Sequence, residues 1–195
     1  MKIEKLVQHW EPELPLLCCP KCGAEFTLES GQLRCQSGHC YDLSAKGYVN
    51  LAPNHDQKKE KYDAALFEAR SRIFADGFYR PVLDTVAGML TRRFGERSFT
   101  LADVGCGEGY YCAELARRFP SSAFFGVDLS RDGIQRAARH REACWMVADL
   151  KRLPFVPGGM DVVLDVLTPA DYQAFSSVLG ESGVLIKVIP GADYL

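Results

Sequence analysis

The sequence predicts an α/β protein: a mostly parallel sheet with helices on both faces, preceded by a small metal-binding module. Three features carry this expectation. From Phe99 onward, continuous apolar runs alternate with helical stretches, the pattern of strands buried on both faces. The first of those runs leads into the glycine-rich segment "DVGCGEGYY", Asp103 to Tyr111. Ahead of it, five of the eight cysteines (Cys18, Cys19, Cys22, Cys35 and Cys40) crowd into the first forty residues.

Composition sets the bounds. A chain of 195 residues suffices for one ordinary domain plus a small module. With 47% apolar and 25% charged residues it is a globular, not a disordered, composition. The formal charge of −2 gives no global attraction towards nucleic acid. "MKIEKLVQHWEPELP" lacks the apolar core of an export signal, and no run reaches membrane-spanning length. The expected location is therefore cytoplasmic, where disulfides are rare and clustered cysteines point to metal.

Taken in order, residues 1–53 read as the metal-binding module, with strand-like "AEFTLES" and "QLRCQ" broken at Ser30-Gly31. Residues 54–95 read as a helical connector. "KKEKYDAALFEARSRIFADG" places Ala65, Ala69, Ile73 and Phe74 near one face and ends at Gly77. "PVLDTVAGMLTRRFG" follows, with Pro81 suited to a first helical position and Gly95 to a C-terminal cap. Residues 96–195 form the α/β domain. Its strands are "FTLADVG", "SAFFGVDLS", "ACWMVADL", "MDVVLDVLT" and "GVLIKVIPG"; its helices are "GYYCAELARRFP", "RDGIQRAARHR" and "PADYQAFSSVLG". The architecture is Rossmann-like, so a ligand is expected beyond the carboxyl ends of the strands.

The glycine run narrows the ligand. Gly105, Gly107 and Gly109 give G-x-G-x-G, and Tyr110 stands where a dinucleotide fingerprint would want its third glycine. Asp103, just before the turn, suits an ammonium better than a pyrophosphate. The segment resembles the S-adenosylmethionine (AdoMet) motif of class I methyltransferases, whose ligand has no phosphate. Asp128, ending the second strand, is placed for ribose hydroxyls, and Asp149, after the third, for an adenine amino group. A nicotinamide nucleotide is the alternative, because Asp128 would serve its ribose equally well.

The cysteines supply a second site. Cys19-x2-Cys22, then twelve residues, then Cys35-x3-His39 offers two pairs of soft ligands on tight turns. A Cys3His set closes a tetrahedral shell, the mark of a structural zinc site that contributes folding energy to a module with little core of its own. Reduced core cysteines are the simpler alternative. Cys18 and Cys40 flank the ligands, Cys40 being the more natural substitute for His39. Cys106, Cys112 and Cys144 are expected to pack as small apolar residues.

Together, in this order, the two motifs resemble the bacterial large-subunit (23S) rRNA guanine-N1-methyltransferases. "YDLSAKGYVNLAP", "DVGCGEGYY" and "LPFVPGGMDVV" are similar to that family's stretches after the last zinc ligand, at the cofactor turn and at the fourth strand. The resemblance runs from about Leu17 to the C-terminus. It implies methyl transfer from AdoMet to N1 of a guanine in a hairpin loop of large-subunit rRNA. It also implies an RNA-recognising zinc module and a homodimer. Carried over, Cys19, Cys22, Cys35 and His39 bind zinc, and Asp103, Gly105, Gly107, Asp128 and Asp149 bind AdoMet. Guanine N1 must lose its proton and be unstacked to react. Asp165, at the end of the fourth strand, is the candidate proton acceptor, and Thr168 and Pro169 shape the base pocket.

Two features pull the other way. A complete sheet of this class has two further strands, so the chain is expected to be a shortened form, with AdoMet affinity weak or absent in isolation. Residues 1–62 carry eight Lys/Arg against eight Asp/Glu, which leaves the "KKEK" cluster, Lys58 to Lys61, with Arg70, Arg72 and Arg80 as a small basic face. An AdoMet enzyme acting on a small molecule and a catalytically silent binding protein are the competing readings.

Overall fold

The computed structural model describes residues 3–55, 70, 72–74 and 76–191. Ala65, Ala69 and the Lys58–Lys61 cluster lie outside them. The chain opens with helix α1 (Ile3–Trp10), which buries Leu6 and Trp10, and a 3-10 turn over Glu11–Leu16. Strands β1 (Phe26–Glu29), β2 (Gln32–Cys35) and β3 (Cys40–Asp42) then form a small antiparallel sheet. The β1–β2 turn falls at Ser30-Gly31, both at positive φ (50° and 80°), where glycine's missing Cβ removes the steric cost.

Strand β4 (Tyr48–Asn50) departs from the module that precedes it. It pairs in parallel with β7 (Cys144–Val147) and becomes the edge of the large sheet. Helix α2 (Arg80–Phe94) has Pro81 in its first turn and Gly95 as its cap at φ 61°. Then β5 (Thr100–Val104), α3 (Tyr110–Arg118), β6 (Ala123–Asp128), α4 (Arg131–Ala137) and β7 alternate, followed by β8 (Met160–Val166), α5 (Tyr172–Val178) and β9 (Leu179–Val188). The six-stranded sheet has the order β4-β7-β6-β5-β8-β9, and every pairing is parallel. Strand order reverses at β5, so the crevice beyond the ends of β5 and β8 is where a ligand belongs.

Neighbouring residues along the central strands feed opposite cores. Ala102, Val104, Phe125, Val127, Met146 and Val163 pack on the face covered by α1, the small sheet and α5. Leu101, Phe124, Trp145, Val147, Val162 and Leu164 pack on the face covered by α2, α3 and α4. Both sets are buried, which is why these strands read as unbroken apolar runs. Before α2, Phe74 stacks on Tyr110 with ring centroids 4.4 Å apart, whereas its neighbour Ile73 is exposed.

Candidate cofactor and metal sites

The metal ligand set assembles from two tight turns. Cys22 and Gly23 donate their N–H groups to the Cys19 carbonyl, and Gly38 donates to that of Cys35. These turns bring the ligand atoms of Cys19, Cys22, Cys35 and His39 within 4.8 Å of one another. Cys19 and Cys35 Sγ each lie 3.5 Å from His39 Nδ1, and Cys22 Sγ lies 3.7 Å from Cys35 Sγ. A tetrahedron with zinc–sulfur bonds of about 2.3 Å has sulfur–sulfur edges of roughly 3.8 Å, so the set fits the ion. A hydrogen bond from Ser37 pulls the Cys22 thiol down to about 6, towards the ligating thiolate. The flanking cysteines point elsewhere. Cys18 is buried and donates to the Phe155 carbonyl at 3.2 Å, and Cys40 is exposed on β3. His39, not Cys40, completes the group.

At the carboxyl ends of β5, β6, β7 and β8 lies a cavity of about 580 Å³. Asp103, Gly105, Gly107, Asp128 and Asp149 all line it, which brings together the five residues expected to hold AdoMet. The turn after β5 needs its glycines. Gly105 has φ 74°, and a Cβ there would overlap the Thr168 side chain; one on Gly109, φ 79°, would overlap Trp145. Asp128 accepts the N–H groups of Gly107 (2.8 Å) and Ser130 (2.7 Å), which fixes its carboxylate at the cavity wall. Asp149 caps the short 3-10 turn Leu150–Arg152 through the Lys151 N–H, 3.0 Å away.

Asp103 supplies the test of fit. It is 2% exposed, and its Oδ2 has no hydrogen-bond partner among the described residues. Burial pushes its carboxyl up to about 7, against the Cys112 N–H bond and with help from Asp128 and Asp165. A buried carboxylate oxygen left open beside a cavity calls for a cation or donor, as the ammonium of an amino-acid-bearing ligand would provide. Tyr111 on α3 lines the same cavity, and its phenol is likewise buried without a partner among the described residues. Tyr111 lies within the glycine motif, and the signal for its inward position is the helical period that turns it in with Cys112 and Leu115.

Asp165 sits differently from the residue expected at the reacting centre. It is 0% exposed and absent from the cavity lining, and both oxygens are engaged, by Lys187 and by the Thr168 N–H. Thr168 and Pro169, by contrast, do line the cavity. Lys187 carried no sequence signal, because the contact joins two strand ends in adjacent strands.

A parallel sheet with an acid-and-glycine turn after its first central strand and carboxylates after the next two defines a class I methyltransferase domain, here joined to a Cys3His ribbon. Residues 101–181 match a family profile described as a methyltransferase domain, and residues 17–61 match one described as RlmA, N-terminal. YxjB of Bacillus subtilis (strain 168), an inferred 23S rRNA (guanine-N(1)-)-methyltransferase, is 40% identical over 91% of this chain and 65% of its own length. The 23S rRNA (guanine(748)-N(1))-methyltransferase of Streptomyces fradiae is 31% identical over 92% of this chain and 65% of its own. A protein of Micromonospora griseorubida, inferred to have the same type of activity, is 30% identical over 93% and 68%. The chain belongs to the 23S rRNA guanine-N1-methyltransferase family, and it spans about 65% of the length of the first two relatives. An inferred S-adenosylmethionine-dependent methyltransferase from Methanococcus maripaludis shares the fold, with a TM-score of 0.57 at 17% identity over 69% of this chain and 67% of that one.

Proposed function

We propose that this chain transfers a methyl group from AdoMet to N1 of a guanine in a hairpin loop of large-subunit rRNA. The observation that carries the reading is the open, buried Asp103 oxygen at the cavity, with Asp128 and Asp149 spaced along the same row of strand ends. When bound, AdoMet supplies an electrophilic methyl on a sulfonium. Asp103 would take the ammonium of its amino-acid end, Asp128 the ribose hydroxyls and Asp149 the adenine amino group. Held at these three points the cofactor would have one orientation, and positioning is a large share of the catalysis such a site provides. The cavity is walled by residues at the ends of four neighbouring strands of this chain, which supports AdoMet uptake.

Cys19, Cys22, Cys35 and His39 hold a structural zinc ion with no open position for water. An adjoining groove supports an RNA partner. Lys21, on the first zinc turn, shares it with Lys151 and Arg152, and Asp149 and Lys151 line both groove and cavity. Phosphates held along that line would lead from the zinc turn to the site of transfer. The family resemblance adds a homodimer, which sedimentation tests. The decisive experiment incubates the protein with radiolabelled AdoMet and undermodified ribosomal RNA and maps the label. N1 of one loop guanine is expected; label on a metabolite or a protein would overturn the substrate.

A further inference from the structure

An ion pair makes two contacts with one residue at the cavity wall. Lys187 Nζ on β9 donates to Asp165 Oδ2 at 2.6 Å and to the Thr168 carbonyl at 2.9 Å. The Thr168 N–H in turn donates to Asp165 Oδ1 at 3.2 Å. The ion pair therefore takes both backbone polar groups of Thr168 at once. Leu167, immediately before, has φ 57°, a left-handed conformation that costs a branched-chain residue free energy and persists only where its surroundings over-determine it. Thr168 in turn touches the glycine turn. Its side chain fills the space that a Cβ on Gly105 would need, and its hydroxyl lies 3.4 Å from the Gly105 carbonyl.

We propose that Asp165 and Lys187 are a positioning pair for the cofactor cavity, holding Thr168 against the glycine turn, and that Asp165 is not the proton acceptor. The inference rests on the AdoMet reading above. A carboxylate with 0% exposure and both oxygens committed would have to leave its ammonium partner inside the protein before it could take a proton from a substrate. Neither Asp165 nor Lys187 lines the cavity, whereas Val166, Leu167 and Thr168 do. The pair acts through the turn. Buried ion pairs contribute little net stability relative to apolar packing, but this one orients a strained wall whose geometry a bound ligand reads directly.

The test uses the whole ¹⁵N-labelled chain, with amide exchange at Thr168 and a titration with S-adenosylhomocysteine followed in the same spectra. Lys187→Met is expected to speed Thr168 exchange and weaken the ligand, each about tenfold, the size of a lost charge-assisted hydrogen bond. Lys187→Arg should restore both to within about threefold, a rescue that a merely space-filling role would not give. Asp165→Asn, nearly isosteric, reads the same clamp should Lys187→Met fail to fold, and the double variant should be no weaker than the worse single. Unchanged exchange and affinity in folded Lys187→Met or Asp165→Asn protein would overturn this role and leave the cofactor reading intact. Wild-type protein that takes up neither AdoMet nor its homocysteine product would overturn both.

Discussion

Asp103 pairs an open carboxylate oxygen with a raised ionisation point, so in the role proposed for it cofactor binding and stability should pull against each other. Its folded carboxyl titrates at about 7, against 3.8 for a free one. Between those values the folded chain binds more protons than the unfolded one, so stability falls as pH rises through that window. An ammonium ligand prefers the ionised form, so AdoMet affinity should climb over the same range up to about pH 7. Asp103→Asn should flatten both profiles. Calorimetric titration should show affinity lower by about tenfold or more, as for a lost charged hydrogen bond, while the melting temperature at pH 8 does not drop. A variant that binds as tightly as wild type would remove Asp103 from the site. Seven cavity residues, Thr168 and Pro169 among them, are legible in the sequence because strand ends and glycine turns advertise themselves. Tyr111 and Lys187 are not, since nothing local marks a phenol or an ammonium whose meaning comes from a distant strand.

At the scale of elements, the turns are where sequence and structure meet most closely. The breaks at Ser30-Gly31 and Gly95 fall where positive φ is required, and the four zinc-ligand positions close on one another as their spacing implies. Gly109 is the sharpest case: φ is 79°, and a Cβ would come within 2.9 Å of Ala137 Cβ as well as overlapping the buried Trp145. Gly109→Ala should destabilise the chain by about 2 kcal/mol or more, combining backbone strain with overpacking, as measured by denaturant unfolding. Stripping the metal with a chelator should release about one zinc per chain and cost the β1–β3 sheet its order, because so small a sheet depends on the ion. Full retention of structure after metal loss would show that packing on α1 suffices. Helix α1 and strand β4 are not legible in the sequence for a shared reason: both are short, and they gain their stability from the surface they land on.

Across the whole molecule, the net charge of −2 hides a local arrangement. Lys21 and the Lys151–Arg152 pair come from segments 130 residues apart, yet they share one groove beside the cavity. Exchanging all three for alanine should weaken binding to an rRNA hairpin and lower the slope of log affinity against log salt by about 2, at roughly 0.7 per phosphate contact with single strands. AdoMet titration should be unchanged for Lys21→Ala alone and altered at most modestly for the triple variant, which includes Lys151 at the cavity edge. An unchanged salt slope would place the RNA on another face.

Because β4 is hydrogen-bonded to β7 as the border of the parallel sheet, a cut after residue 53 severs no hinge between independent bodies. Proteolytic or engineered removal of the first 53 residues would bare the Cys144–Val147 backbone as an open seam, inviting other chains to add themselves there. The shortened protein should self-associate in light scattering, and heating the intact chain should show a single heat-absorption peak in which the ribbon and the sheet melt as one.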